Sequence, residues 1–214
     1  MRTIYISKKG ALLAGVYLLA LALLLGGAGV FLPRAEPALA EPYRAGSAES
    51  DTVSLAINVD WGEEYLPDML NILAENDIRI TFFLTGRWCE NNPDLARTIA
   101  GAGHEIGNHG YSHKSPNNSS IEQIKEEISR TEQAVEQATG IKTRLYAPPS
   151  GEEREHVLQA AEQAGYHTIL WSIDTIDWQK PDAGTIVRRV QSKLQGGAII
   201  LAHPTACMLA ALPL

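Results

Sequence analysis

Two histidines, His109 and His113, stand four residues apart where a short hydrophobic segment runs into a polar loop. If the chain continues there as one helical turn, both imidazoles lie on the same face. Two neutral ring nitrogens at this spacing suit one divalent ion of the zinc type. Paired histidines are also common in loops as solvated polar residues, so the spacing alone leaves the metal site a hypothesis.

The segments around these histidines alternate between short apolar runs and amphipathic stretches with helical spacing. Strands are predicted at 53–59, 78–84, 105–106, 144–146, 168–173 and 198–202. Helices are predicted from Leu66, from Pro93 to Ala102, from a capping box of Ser119 and Glu122 to Gly140, at 153–164 and at 185–194. This alternation predicts a parallel α/β fold, most of all a barrel of strands and helices. Active-site residues then lie just beyond the carboxyl ends of the strands.

Composition divides the chain into three parts. Residues 1–33 contain an uncharged apolar run, 11–32, which is long enough to span a bilayer as a helix, since about 20 residues are needed. Residues 34–50 are rich in Pro, Ala, Glu and Ser, which predicts a flexible tether. Residues 51–214 carry the α/β pattern and form the predicted domain.

Basic residues precede the apolar run: Arg2, Lys8 and Lys9. They predict that this end lies in the cytoplasm and that the domain lies on the extracytoplasmic side of the membrane. The length of the run favours a retained single-pass anchor. A signal peptide cleaved near Ala40 is the alternative, and it would give a secreted protein.

Charge and cysteine content exclude several classes of site. The net charge is −7 and no basic cluster follows residue 10, which argues against nucleic acid as a partner. Cys89 and Cys207 are the only cysteines and form no CxxC pattern. A metal site here must therefore use histidine and carboxylate ligands.

The strand-end rule gathers residues with chemical potential from several separate segments. They are Asn58, Asp60, Trp61 and Glu63 after the first strand, His109 and His113 after the third, the loop 147–151 after the fourth, Asp174, Asp177 and Trp178 after the fifth, and Leu201 and His203 at the last. Their convergence supports a metal site more strongly than the histidine pair does alone.

Taken in order, Asp60, the HxxxH pair, the Pro-Pro-Ser-Gly loop, Asp177-Trp178 and Leu-x-His203 resemble the motifs of the polysaccharide deacetylase (NodB homology) family. The resemblance covers residues 51–205. The form Asn-Val-Asp-Trp-Gly-Glu-Glu-Tyr-Leu-Pro further resembles a sporulation-associated subgroup of Gram-positive bacteria. The family implies a distorted β/α barrel that removes N-acetyl groups from cell-wall glycan such as peptidoglycan by metal-dependent hydrolysis.

The resemblance also implies a role for each matched residue. The metal, expected to be Zn²⁺ or a similar ion such as Co²⁺, would be bound by Asp60, His109 and His113. His203 would protonate the leaving amine, and Asp177 would orient His203. The sugar would lie against Trp61, Pro148, Pro149, Trp178 and Leu201.

Two positions depart from the family pattern, which has two aspartates after the first strand and an arginine in the proline loop. Anchored on Trp61-Gly62, the comparison puts Asn58 in the base position, where an amide cannot act as a base, and Asp60 near the metal. Anchored on the family's Asp-Asp-Gly, it makes Asp60 the base and replaces the metal ligand by Trp61. Ala147 stands where the family has the arginine that pairs with the base. Loss of both partners of one ion pair favours the first register, because loss of one leaves an unpaired buried charge.

A missing base would separate metal binding from catalysis, so three hypotheses follow. The leading one is an extracytoplasmic, metal-dependent glycan de-N-acetylase. The second is a catalytically impaired relative that binds cell-wall glycan without hydrolysing it. The third is a membrane-anchored structural or assembly protein without a glycan site.

The stretch after the last predicted strand is short. Residues 204–214 begin like a helix and the chain then ends, so the closing helix of the barrel is expected to be missing and the domain to be C-terminally short. A last strand left uncovered would expose apolar surface.

Overall fold

A computed structural model describes residues 41–214, whose seven strands form one parallel sheet in the order β5-β4-β3-β2-β1-β7-β6. The strands are β1 (Ser54–Val59), β2 (Thr81–Leu84), β3 (Glu105–Asn108), β4 (Leu145–Tyr146), β5 (His167–Thr168), β6 (Ile173–Asp174) and β7 (Ile199–Ala202). The predicted parallel α/β architecture is confirmed, in the form of a half-barrel.

Helices connect most of these strands. They are α1 (Leu66–Glu75), α2 (Gly86–Asn91), α3 (Pro93–Gly101), α4 (Ile121–Thr139), α5 (Glu155–Gln163), α6 (Ala183–Gln191) and α7 (Ala206–Ala211), with 3₁₀ turns at Pro116–Asn118, Pro149–Gly151 and Asp177–Gln179. α2 was not predicted, because six residues are too few to show a helical period.

Side chains of β1 show how the sheet separates the core from the site. Ile57 and Val59 are fully buried in the main hydrophobic core, together with α1, α2 and α3. Ala56 packs in a smaller cluster with Phe83, and Asn58 lines a pocket. Alternate residues of a strand point to opposite faces, so β1 places one row of side chains under the helices and the other inside the half-barrel.

The apolar run 168–173, predicted as one strand, is two short strands at opposite edges of the sheet. β5 pairs with β4, and β6 pairs with β7. The two edges are joined by only the residues 169–172, which limits their separation to less than about 20 Å. The sheet therefore curls towards closure but stays open between β5 and β6, which gives the barrel its distorted form.

Residues at the end of the predicted tether contact this open region. The Tyr43 amide donates to the Thr168 carbonyl at 2.9 Å, and Tyr43 forms a parallel bridge with Ile169. Ala45 forms an antiparallel bridge with Ala198. Within the described part of the chain, residues 43–46 thus pack on the domain. The remaining tether, 34–40, and the predicted anchor, 11–32, lie outside the described residues.

None of the helices in residues 41–214 is both long and apolar enough to cross a bilayer.

The long helix α4 begins one residue later than predicted. Ser120 is the N-cap, its hydroxyl accepts from the Gln123 amide, and the Gln123 side chain accepts from the Ser120 amide. The predicted pair of Ser119 and Glu122 fits the same S-x-x-E/Q pattern, so local sequence does not separate the two registers.

The residues after the last strand, which were predicted to begin like a helix, form a helix of six residues. α7 follows β7, and the Thr205 hydroxyl caps it by accepting from the Met208 amide at 3.1 Å. Met208 and Ala211 are buried in the main core, so α7 covers apolar surface that the sequence had suggested would be open. Cys89 and Cys207 are both free thiols.

Candidate functional site

A pocket of about 400 Å³ lies at the carboxyl ends of the strands, where the strand-end rule places a site. It is lined by Asn58, Trp61, His109, His113, Ser150, Trp171, Asp174, Trp178, Leu201 and His203. Seven of these ten residues had been given a role in the site, and Ser150 and Asp174 had been predicted to lie near it. Asp60 and Asp177 do not line the pocket. In the proline loop, Ser150 lines the pocket, whereas the predicted Pro148 and Pro149 do not.

The two histidines of the HxxxH pair meet in this pocket, with ring centroids 5.0 Å apart and nearly perpendicular planes. His109 Nδ1 lies 2.7 Å from the Ala147 carbonyl oxygen. Because that carbonyl accepts, Nδ1 carries the proton and Nε2 keeps its lone pair. Burial, and next the nearby His113, lower the pKa of His109 to about 3, so this imidazole is neutral at pH 7.

Glu127 of α4 holds the loop between the histidines. Its Oε2 accepts from the amides of Tyr111 and Ser112, at 3.0 and 2.7 Å, and the Ser112 hydroxyl donates to both carboxylate oxygens. His113 follows this clamp with a left-handed backbone, φ +55°. A carboxylate that accepts several hydrogen bonds from one loop fixes its conformation, so Glu127 positions His113.

His203 is held by the buried carboxylate of Asp177. The His203 amide donates to Asp177 Oδ2 at 2.7 Å, and Nδ1 lies 2.8 Å from Oδ1. The Thr205 hydroxyl donates to Oδ2 at 3.2 Å. With its proton on Nδ1, His203 presents Nε2 as an acceptor, or as the acid after protonation. The predicted partnership of these two residues is therefore present.

Asp60 is bound by an arginine and a threonine, although it lies close enough to His109 for its charge to favour the protonated imidazole. Its Oδ1 accepts from the Thr85 hydroxyl at 2.8 Å and from Arg87 Nε at 3.0 Å, and its Oδ2 accepts from Arg87 Nη2 at 2.5 Å. The side chain of Asp60 is 13% exposed and that of Arg87 is 48% exposed. The hydrogen bond to Asp60 raises the pKa of Arg87 further above its already high value. The result is a two-point ion pair beside the pocket.

A zinc-type centre needs three protein ligands around one point. Two of the predicted ligands, His109 and His113, face the same pocket, and the third, Asp60, is bound to Arg87 and Thr85. Within residues 41–214, no three His, Cys, Asp or Glu side chains are grouped so that they could hold a metal ion. The residues present do not fit a three-ligand centre in this arrangement.

Aromatic rings dominate the walls of the pocket. Trp61 and Trp178 are 45% and 53% exposed, large fractions for tryptophan. The Trp61 ring lies parallel to the His203 ring, at 4° with centroids 6.2 Å apart. Trp171 forms a third aromatic wall. Its ring packs closely on Gly151, since a Cβ added to that glycine would lie 2.5 Å from the nearest ring carbon.

Sequence reasoning missed Arg87 and Thr85. Both follow β2 directly, so the strand-end rule could have found them, but it was applied to the other strands only. Glu127 and Trp171 were missed for another reason. Glu127 lies inside a helix and Trp171 inside a run predicted as strand, and neither position carries a local signal of the site.

Comparison with known proteins identifies the family. Residues 45–169 match the polysaccharide deacetylase family, which is more than half of the chain. The chain belongs to the polysaccharide deacetylase family. Deacetylases of this family hydrolyse amide bonds and are generally metal-dependent.

Two relatives show how this family member compares in sequence. The uncharacterized protein YlxY of Bacillus subtilis is 44% identical over 165 residues, which cover 77% of this chain and 52% of YlxY. A peptidoglycan-N-acetylglucosamine deacetylase of Bacillus cereus is 35% identical over 153 residues, covering 70% of this chain and 71% of that enzyme. The chain thus spans about half the length of YlxY.

A solved structure adds a functional contrast. The chain resembles a CE4 family pseudoenzyme from Bacillus anthracis with a TM-score of 0.79 and 41% identity, over 81% of this chain and 62% of that one. A mutant of the same pseudoenzyme, described as having restored enzymatic activity, matches equally well in fold, with a TM-score of 0.79 at 39% identity. Both active and inactive proteins of this family are therefore similar to the chain.

Proposed function

We propose that this domain binds N-acetylated cell-wall glycan on the extracytoplasmic side of the membrane and does not hydrolyse it through a metal centre. The observation that carries the proposal is the position of Asp60, whose carboxylate is bound to Arg87 and Thr85. His109 and His113 line the pocket without it. A pocket with aromatic walls and no assembled metal centre suits the binding of a neutral sugar.

The pocket offers both kinds of contact that a pyranose ring needs. The half-exposed faces of Trp61 and Trp178 can pack against the apolar face of a sugar. The amide of Asn58, the hydroxyl of Ser150 and Nε2 of His203 supply donors and acceptors for hydroxyl and acetamido groups. Asn58 fits this role well, since an amide both donates and accepts but cannot serve as a base.

One relative supports the proposed class of ligand, and another supports the proposed lack of hydrolysis. One similar protein is named as a peptidoglycan-N-acetylglucosamine deacetylase, which points to N-acetylated peptidoglycan as the ligand. Another is named as a pseudoenzyme. The extracytoplasmic location and the sporulation-associated subgroup rest on the sequence alone and belong to the proposal.

The test uses intrinsic fluorescence, because three of the four tryptophans line the pocket and the fourth, Trp88, is buried. Titration with N-acetylglucosamine oligomers is expected to change the emission, and fully deacetylated oligomers are expected to bind more weakly. Trp61→Ala or Trp178→Ala should weaken binding about fivefold, since one aromatic contact contributes about 1 kcal/mol. Leu194→Ala, which removes a half-exposed residue outside the pocket lining, is the matched control. Equal binding of acetylated and deacetylated oligomers would contradict the proposal.

Metal-dependent de-N-acetylation is the second candidate, and the intact Asp177–His203 pair favours it. It predicts acetate release from peptidoglycan or chitin oligomers by the full chain in the presence of Zn²⁺ or Co²⁺. Release that is abolished by His203→Ala would establish hydrolysis and overturn the non-hydrolytic proposal. Glycan binding with no acetate release under either metal would support it.

A further inference from the structure

The loop after β1 presents Trp61, and not Asp60, to the pocket that the histidine pair lines. Trp61 shares the pocket lining with His109 and His113. The neighbouring Asp60 is outside that lining, with its carboxylate bound to Arg87. Of the two residues that follow the strand, the one that lines the pocket with the histidines is therefore an indole, which cannot ligate a metal.

The backbone of this loop is fixed by close packing. Gly62 has a left-handed backbone, φ +87°, and a Cβ there would lie 2.2 Å from the Pro204 carbonyl oxygen. The loop thus packs directly on the residue that follows His203. The stacking of Trp61 on His203 braces the indole in the same place. A rotation of the loop that turned Asp60 into the pocket in place of Trp61 would have to break the packing of Gly62 on Pro204 and the stacking of Trp61 on His203.

Arg87 fixes the carboxylate from the other side. Its amide donates to the Tyr111 carbonyl at 3.1 Å, and the Gly86 amide donates to the Gly110 carbonyl at 3.1 Å. The start of α2 is therefore hydrogen bonded to the loop that carries His109 and His113. Arg87 is held relative to this loop, and through its two-point pairing it keeps Asp60 in place.

This ion pair bears on the choice between the two registers. The first register, with Asn58 as the base, was favoured because both partners of the family's ion pair were thought to be absent. The structure shows an arginine-paired aspartate, Asp60, with its arginine supplied from the end of β2 instead of the proline loop. That pairing is what the second register requires, with Trp61 in the place of the metal ligand.

We propose that Trp61 stands where the third ligand of a metal centre would stand, and that Arg87 supplies the partner of Asp60 that the proline loop lacks. The histidine pair then supplies two of the three ligands of a metal site. Trp61, in the third position, supplies a wall of the glycan pocket instead. A carboxylate at position 61 completes the site. The glycan part of this inference rests on the proposed function, and the metal part does not.

The experiment measures Co²⁺ binding to the full chain by calorimetry and by visible absorption. Trp61→Asp is expected to bind one equivalent of Co²⁺ about 100-fold more tightly than the natural protein, a gain of ~2.7 kcal/mol, with the intense bands of four-coordinate Co²⁺. Trp61→Ala, which removes the ring without adding a ligand, is the matched control and should resemble the natural protein. Adding His113→Ala to Trp61→Asp should remove the gain. Trp61→His, which also adds a ligand atom, serves if Trp61→Asp does not fold.

Two results would overturn the inference. One is tight, stoichiometric Co²⁺ binding by the natural protein that is lost in Asp60→Asn, which would make Asp60 the ligand. The other is a gain in Co²⁺ affinity in Arg87→Ala without a gain in Trp61→Asp, which would make Arg87 the barrier. Failure of the proposed function looks different, because it is a lack of oligosaccharide binding by the natural protein, whatever the metal affinities are.

Discussion

Asp177 and His203 are joined at two atoms of each residue, with Oδ2 accepting from the His203 amide at 2.7 Å and Oδ1 from Nδ1 at 2.8 Å. The carboxylate fixes the main chain at the end of β7 and the tautomer of the imidazole at once. The whole orientation of His203 in the pocket therefore depends on a side chain that is itself fully buried and makes no contact with the pocket.

Asp177→Asn is expected to reverse the tautomer of His203. The new amide places a donor where a carboxylate oxygen accepted, so one of the two bonds to His203 is lost or the proton moves to Nε2. The free energy of unfolding should fall by about 2 kcal/mol, the usual contribution of a hydrogen bond to a charged group. Nitrogen NMR of the imidazole and urea unfolding measure the two effects. Asp174→Asn, whose carboxylate accepts from the Ile176 amide at 2.8 Å, is the control and should leave the tautomer unchanged.

Glu127→Ala is expected to loosen the histidine loop. It leaves the amides of Tyr111 and Ser112 without their carboxylate acceptor, at a cost of about 1–3 kcal/mol for each group that stays buried. Hydrogen exchange of these two amides should quicken, while exchange in β1 and β2 stays slow. Glu126→Ala, at an exposed position on the same helix, is the control. Unchanged exchange at residues 111 and 112 would show that the loop does not depend on Glu127.

Stability is expected to fall as the pH drops below about 6.5. Burial, and next the nearby Arg79, lower the pKa of His104 from 6.5, and its Nδ1 accepts from the Ile80 amide at 3.2 Å. The unfolded chain takes up a proton near pH 6.5 while the folded imidazole stays neutral. The free energy of unfolding therefore falls as the pH drops from about 6.5 to the pKa of His104 in the folded protein. His109, with its pKa near 3, acts in the same direction. The loss is at most about 1.4 kcal/mol per pH unit for each histidine.

Urea unfolding at pH 7, 6, 5 and 4 measures this dependence. His104→Gln keeps a hydrogen-bond acceptor but cannot titrate, so its stability should fall less steeply than that of the natural protein. His167→Gln removes an exposed histidine and should leave the slope as it is. A slope that is equal in His104→Gln and the natural protein would exclude His104 as a source.

The sequence predicted most of this architecture because its strands are short apolar runs with helical stretches between them. It failed where two patterns fitted equally well or where pairing was decided at long range. Ser119 and Ser120 both begin a capping-box pattern, and the structure uses Ser120, while the Ser119 hydroxyl donates to the Ser115 carbonyl. The run 168–173 has strand composition throughout, yet its two ends pair with β4 and β7 at opposite edges.

The candidate site was predicted by the same local rule, with the same limit. Strand ends located His109, His113 and His203 because each follows an apolar run, and all three line the pocket. The rule says which residues come near a site but not which way neighbours such as Asp60 and Trp61 face. That choice depends on Arg87, a residue 27 positions further along the chain.

Gly62→Ala is expected to disturb the pocket through the loop that carries Trp61. A Cβ at this left-handed position would lie 2.2 Å from the Pro204 carbonyl oxygen, so the loop has to move away from the end of β7. Gly140→Ala is the matched control, since Gly140 is also left-handed, φ +75°, but has no atom within 4 Å of the added Cβ. The control should cost about 1 kcal/mol of unfolding free energy from backbone strain alone, and Gly62→Ala about 3 kcal/mol or more. At a temperature where both variants are folded, only Gly62→Ala should weaken the fluorescence response to N-acetylglucosamine oligomers, because only there does the indole lose its place over His203. Equal responses in the two variants would show that the pocket does not depend on the packing of this loop against Pro204.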